Sequence, residues 1–198
     1  MERMLRNIAI VFTGGAIGGF FTTVAATLIP ATGIVALTGS QAKIAVHEGW
    51  LLDPVANYRL MVWGGFFGLF FLFPLFKTWD WKKWAPIVLV VVGPYLVYLL
   101  FIDGEFSSSP IRVIVVLLYF AGIMALPLVR NTKWWVYGLI IGVVAGSSSL
   151  FIMFPIKLGL GMFGGAAAGP GTIPWVIVFN LFYGITAAYF INKAKLIE

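Results

Sequence analysis

The sequence predicts an all-α fold: a polytopic membrane bundle of about six transmembrane helices, built as three tandem helical hairpins, with N and C termini cytoplasmic. Three observations predict it. Hydrophobic residues make up 61% of the 198-residue chain and charged residues 10%, where a water-soluble domain carries roughly 45–50% and about 25%. A soluble fold of this size has too little interior to hide so much apolar surface. Six apolar stretches are each as long as a bilayer is thick, and the cations between them lie mostly on alternate sides.

A helix rises 1.5 Å per residue, so about 20 apolar residues cross the roughly 30 Å hydrocarbon layer. The first stretch, 8–29, follows Arg3 and Arg6 and ends at Pro30. It exceeds the roughly 7–15 residues of a signal-peptide core and reads as a retained helix. The second, 57–76, precedes the charged aromatic run Lys77 to Trp84. The third, 85–102, is broken at Gly93-Pro94 and stops at Asp103-Gly104-Glu105. The fourth, 110–129, opens on Pro110, at the turn where a missing N–H is harmless. The fifth, 135–154, ends at Pro155, and the sixth, 173–192, runs into the tail Lys193 to Glu198. The whole of 1–198 reads as one integral membrane domain of the inner (plasma) membrane, crossing it several times.

With the N-terminus inside, Arg3, Arg6, Lys77, Lys82, Lys83, Arg130, Lys133, Lys193 and Lys195 are cytoplasmic. Lys43, Arg59, Arg112 and Lys157 fall on the other side, as do Glu48, Asp53, Asp103 and Glu105. The excess of inner cations fixes this orientation and an even helix count. Tryptophans agree, because indole prefers the headgroup level: all sit at predicted helix ends except Trp63, about one turn inside the second stretch. The net charge of +6 is scattered between apolar segments, so nucleic acid is not an expected partner. The absence of cysteine excludes disulfides and thiolate chemistry.

A shift of 53 residues lays stretches two and three over four and five. It pairs Arg59 with Arg112, Pro74-Leu75 with Pro127-Leu128, Lys77 with Arg130, Trp81 with Trp134 and Gly93 with Gly146. Fainter echoes relate Phe67-Gly68 to Tyr183-Gly184, and Gly14 and Gly18 to Gly138 and Gly142. Parallel repeats of this kind occur in transporters, related by an axis along the membrane normal. Gly14, Gly15, Gly18 and Gly19, then Gly64 and Gly68, then Gly138, Gly142 and Gly146 form small-xxx-small faces that let helix backbones approach.

Catalytic constellations are missing from the spans. His47 is the single histidine, and no carboxylate lies inside a stretch, so an acid–base pair or two-histidine metal site cannot be built there. His47 with Glu48 and Asp53 is a weak metal candidate in the first outer connection. Arg59, Arg112 and Lys157 are candidates for lipid headgroups or anions, since an ionisable group beside a span is costly unless used. Tyr95 and Tyr98, next to the Gly93-Pro94 break, and Trp63 are the other ligand candidates. Thr22-Thr23 and Ser147-Ser148-Ser149 offer hydroxyls inside apolar stretches, where bonding back to the same helix is common. The glycine-rich segment 156–172 is too broken for a spanning helix and reads as re-entrant or folded over the bundle.

The runs Trp135-Val-Tyr-Gly-Leu-Ile-Ile-Gly142, Met153 to Gly164 and Asn180-Leu-Phe-Tyr-Gly184 resemble the YagU-like group of small bacterial and archaeal inner-membrane proteins. The resemblance implies a multi-pass membrane protein and no particular activity. Members of that group often have histidine where Asn180 stands, so it implies no metal or haem site here. The leading functional expectation is a non-catalytic subunit or accessory protein packing on partner helices of a larger respiratory or photosynthetic complex. The alternative is a small transporter or channel. Expected partners are membrane lipids and other membrane subunits or further copies of the chain; no cofactor is expected.

Overall fold

The computed structural model describes residues 2–38, 54–75, 110–126, 128–129, 132–150 and 171–195. Among these the chain is all helical. We label the α-helices α1 (Glu2–Ala31), α2 (Pro54–Gly68), α3 (Pro110–Ala125), α4 (Trp134–Ser148) and α5 (Thr172–Ala194). A 3₁₀ helix, Leu69–Leu75, continues α2, and a short one, Ala36–Thr38, follows α1. The predicted third stretch lies outside the described residues, as does the segment 156–170. Two helices, α1 and α5, are long and apolar enough to cross a membrane; α3 and α4 are apolar but shorter.

Both ends of α1 differ from the sequence reading. Pro30 does not end α1 but lies within its last turn, where a lost N–H removes one bond and there is little helix left to distort. The chain leaves α1 through Thr32 N–H to the Ile29 carbonyl at 3.1 Å and Gly33 N–H to the Pro30 carbonyl at 2.9 Å. Gly33 sits at φ 80°, with the left-handed backbone that a residue lacking Cβ adopts freely. At the other end α1 begins at Glu2, because hydropathy marks the apolar span and not the polar turns beyond it.

The second stretch is not one uniform helix. It begins at Pro54, a favoured first helical residue, and changes to 3₁₀ geometry after Gly68. Pro74 has no N–H, so the α-helical bond to the Phe70 carbonyl four residues earlier cannot form, and the segment takes the i→i+3 pairing of a 3₁₀ helix. The Phe70 carbonyl, with two lone pairs, also accepts a hydrogen bond from Tyr137 Oη on α4, at 2.9 Å. Replacing Tyr137 with phenylalanine is expected to lower stability by about 1–2 kcal/mol, read as an earlier melt in detergent; an unchanged melt would mean that water already serves the carbonyl. The fifth stretch also changes register: α4 widens to a π turn at residues 149–150.

Packing runs α2–α1–α5–α4–α3, with chain neighbours α1 and α2 side by side and α4 and α5 likewise. Both pairs use the same device. A Cβ on Gly15 would strike the Gly64 carbonyl, and one on Gly64 the Gly15 carbonyl. Between α4 and α5, a Cβ on Gly138 would lie 2.6 Å from the Gly184 carbonyl and one on Gly142 2.5 Å from the Asn180 carbonyl. The glycine faces of α1 divide their work. Gly15 and Gly19 meet α2, while Gly14 and Gly18 meet α5, where a Cβ on Gly18 would lie 2.8 Å from the Tyr183 carbonyl.

On α1, side-chain size is sorted inside out relative to a water-soluble protein. Most of the buried positions on α1 are small, Gly14, Gly15, Gly18, Gly19, Thr23, Ala25 and Ala26 among them, while Leu5, Phe20, Phe21 and Leu28 are exposed. Small residues inside and large apolar ones outside is what helices adopt when backbone contact supplies the attraction and the surroundings are themselves apolar. A larger apolar cluster, Val11, Phe71, Leu126, Tyr137, Ile141, Tyr183 and Ile191, ties four of the helical segments together. A second, Val115, Val116, Leu150, Ile173 and Val176, joins α3 to the far end of α4 and the start of α5.

Candidate functional site

Glycines that bring α1, α2, α4 and α5 together also leave a gap where the four meet. It is a cavity of about 60 Å³, enough for a few waters or one small solute. Gly19 and Thr22 come from α1; Leu60, Trp63, Gly64 and Phe67 from α2; Ala145 and Ser149 from the end of α4; Asn180 and Tyr183 from α5. Three aromatic rings and four polar side chains thus share one small space.

The polar groups are arranged in one sense. Thr22 Oγ1 donates to the Gly18 carbonyl at 3.1 Å. Ser149 Oγ donates to the Ala145 carbonyl at 2.9 Å. Tyr183 Oη donates across the interface to the Gly64 carbonyl at 2.8 Å. Each hydroxyl has one proton, and each proton is committed to a backbone carbonyl, so what remains on the oxygens is lone pairs. Asn180 Nδ2 donates to the Val176 carbonyl at 2.8 Å, which fixes the amide orientation, since a carbonyl accepts only from the nitrogen. Oδ1 is thereby left as a further acceptor. Among the described residues, no charged side chain lines the cavity.

Such a wall holds hydrogen-bond donors or a partly dehydrated cation. Trp63, on the same wall, brings an indole N–H, so acceptors outnumber donors among the described lining residues. The rings add to this: Phe67 and Tyr183 meet edge to face at 6.5 Å, and aromatic faces attract cations through their quadrupoles. No group of three metal-ligating side chains gathers among the described residues.

Of the candidates named from sequence, Trp63 is at this cavity, 40% exposed, with its ring 6.1 Å from that of Phe66. Arg59 is exposed on α2 and does not line the cavity. Arg112 falls in the first turn of α3. His47, Tyr95, Tyr98 and Lys157 lie outside the described residues. Thr22 and Ser149 bond back to their own helices as anticipated, yet they also line the cavity. Sequence reasoning missed Asn180 and Tyr183 as site residues. Asn180 had a signal, being the one amide in the interior of the sixth stretch.

Ser147, beside the cavity residues in sequence, is fully buried, and its Oγ has no hydrogen-bond partner among the described residues. An unpaired buried hydroxyl costs about 1–3 kcal/mol. Ser147→Ala is therefore expected to melt at or above the wild-type temperature in detergent; a clearly lower melt would show that the hydroxyl has a partner.

No protein-family model matches this chain, and no curated protein or solved structure matches it. Its assignment therefore rests on the residues and geometry above.

Proposed function

We propose that the chain is a six-span inner-membrane protein that takes a small monovalent cation, ammonium or an alkali-metal ion, into the four-helix cavity and conducts it across the membrane. The observation that carries this reading is a cavity walled by four different helices whose described lining is uncharged and rich in acceptors. Its depth is consistent from helix to helix. Thr22, Trp63, Ser149 and Asn180 each stand five to seven residues inside the predicted outer end of their stretch, about 8–11 Å below the outer boundary of a roughly 30 Å layer. Toward the cytoplasmic half, the Phe71 and Tyr137 rings, 5.5 Å apart, pack closely. A solute site between helices in the membrane interior is where transporters of this helical kind hold their cargo. The repeat between the second and fourth stretches supports the same reading.

Flux into liposomes containing the purified full-length chain tests it. Potassium, sodium or ammonium is expected to enter, and chloride to stay out. Entry of none of the three cations would remove conduction, while entry of urea or glycerol instead would reassign the solute.

A second reading, a non-catalytic subunit packing on partner helices, is supported by one feature. Phe12 and Phe66 meet edge to face at 5.7 Å and continue into Trp63, a ring cluster on the outer side of α1 and α2, with Phe66 53% exposed. The glycine faces no longer argue for a partner, since α1, α2, α4 and α5 use them on one another. Recovery of the same companion protein with the chain from its native membrane, and its loss in Phe66→Ala, would favour this reading. Neither reading asks for catalysis.

A further inference from the structure

A second hollow lies at the opposite end of α1 from the cavity. Gly14 packs against Ile191 and Ala187 while Gly18 packs against Tyr183, so α1 and α5 run antiparallel. The first turns of α1 therefore stand beside the last turns of α5. Between them is a groove of about 350 Å³, in the range of clefts that hold ligands. Its depth comes from Ala9, Gly14 and Ala194, which have almost no side chain, and its walls from Ile17 and Phe190. Arg6 stands at one end and Ile17 at the other, about 16 Å apart along the helix axis. That length is half of the roughly 30 Å hydrocarbon layer, the reach of one leaflet.

Charge is as one-sided as shape. Arg3 and Arg6 on α1, and Lys193 and Lys195 at the end of α5, all belong to this end of the pair, with Glu2 the one acid among the described residues there. Lys193 Nζ is held 5.7 Å over the Tyr189 ring, whose neighbour Phe190 forms the groove wall. Among the described residues no carboxylate lines the groove to occupy Arg6, which is exposed.

We propose that this groove seats one acyl chain of an acidic phospholipid from the cytoplasmic leaflet, with the lipid phosphate on Arg6. The apolar trough of one-leaflet length selects a lipid tail, and the cluster of cations at its mouth selects a negative headgroup over a zwitterionic one. The inference rests on the membrane reading with a cytoplasmic N-terminus and is independent of conduction through the cavity.

Native mass spectrometry of the full-length chain, released from nanodiscs of equal phosphatidylglycerol and phosphatidylcholine, tests it. The wild type is expected to retain phosphatidylglycerol in preference. Arg6→Gln should reduce that preference roughly fivefold, the equivalent of one cation at a lipid surface. Ala9→Trp, at an exposed position in the trough, should displace the bound lipid of either kind while leaving the melting temperature unchanged. Lys133→Gln, an exposed cation just before α4 and outside the groove lining, should change nothing. Equal retention of the two lipids by the wild type, or retention by both Arg6→Gln and Ala9→Trp at the wild-type level, would overturn the proposal. So would an equal loss in Lys133→Gln, because it would reduce the effect to overall charge.

Discussion

Gly184→Ala is expected to destabilise the chain by about 1–3 kcal/mol, although it adds a single methyl group. A Cβ there would strike the Gly138 carbonyl and lie 2.6 Å from the Gly142 nitrogen and 2.9 Å from its Cα. All three are backbone atoms of α4, so no rotamer change relieves the clash and the helices have to separate. Separation forfeits dispersion contacts along the whole interface, and lipid supplies no hydrophobic force to restore them. It also moves Tyr183, the adjacent residue, off the Gly64 carbonyl. Gly184→Leu should yield no monodisperse protein. Gly122→Ala is the milder case, since its Cβ would meet the Val144 Cγ2 methyl at 2.7 Å while the nearest backbone atom, the Ile140 carbonyl, is at 3.9 Å, so one side chain and not a backbone has to shift. Intrinsic-fluorescence melts in detergent should place Gly122→Ala between wild type and Gly184→Ala; equal melts for the two variants would contradict the close-packed interface.

Asn180→Leu is expected to cut cation flux roughly tenfold, the effect of losing one good acceptor worth about 1–2 kcal/mol at a desolvated site. Leucine removes Oδ1 and puts two methyl groups where the amide bordered a cavity of about 60 Å³. Folding should survive, because the hydrogen bond that Asn180 makes is to Val176, one turn back on its own helix. Thr22→Val, nearly isosteric, should lower flux without filling space, and the pair separates the loss of an acceptor from blockage. Arg59→Ala, away from the cavity, should conduct as wild type does. Melting temperatures at the wild-type value together with undiminished flux in both Asn180→Leu and Thr22→Val would detach conduction from this cavity.

Much of the helical framework was legible before any coordinates. The start of α4 at Trp134 and both ends of α5 lie within two residues of the stretches read from hydropathy, because apolar length is set by composition alone. The glycines at 14, 18, 64, 68, 138, 142 and 146 were legible as close-contact positions for the same reason: a residue without a side chain leaves room wherever it lies. Their partners were not. Nothing in Gly15 or Gly19 says that they meet α2 while Gly14 and Gly18, one position earlier, meet α5. In a chain apolar on every side, the helix faces carry no polar stripe to mark inside from outside. The change to 3₁₀ geometry at Leu69 was also hidden, although Pro74 was in view. A proline disturbs a helix upstream of itself, and how far depends on what packs there, here Tyr137, whose hydroxyl reaches the Phe70 carbonyl from a distant part of the chain.

Composition, span length and charge asymmetry, all readable along the chain, determined that it is helical and apolar, and where helices α1, α4 and α5 lie. These are properties that each segment has alone. The tertiary structure decided what no segment has alone: that four helices cross over glycine backbones, and that Thr22, Trp63, Ser149, Asn180 and Tyr183 border one small cavity. The physical reason is that glycine contacts are directional. A backbone approaches only where both faces are bare, so the lateral order of the helices, and the gap left between them, follow from pairing and not from periodicity.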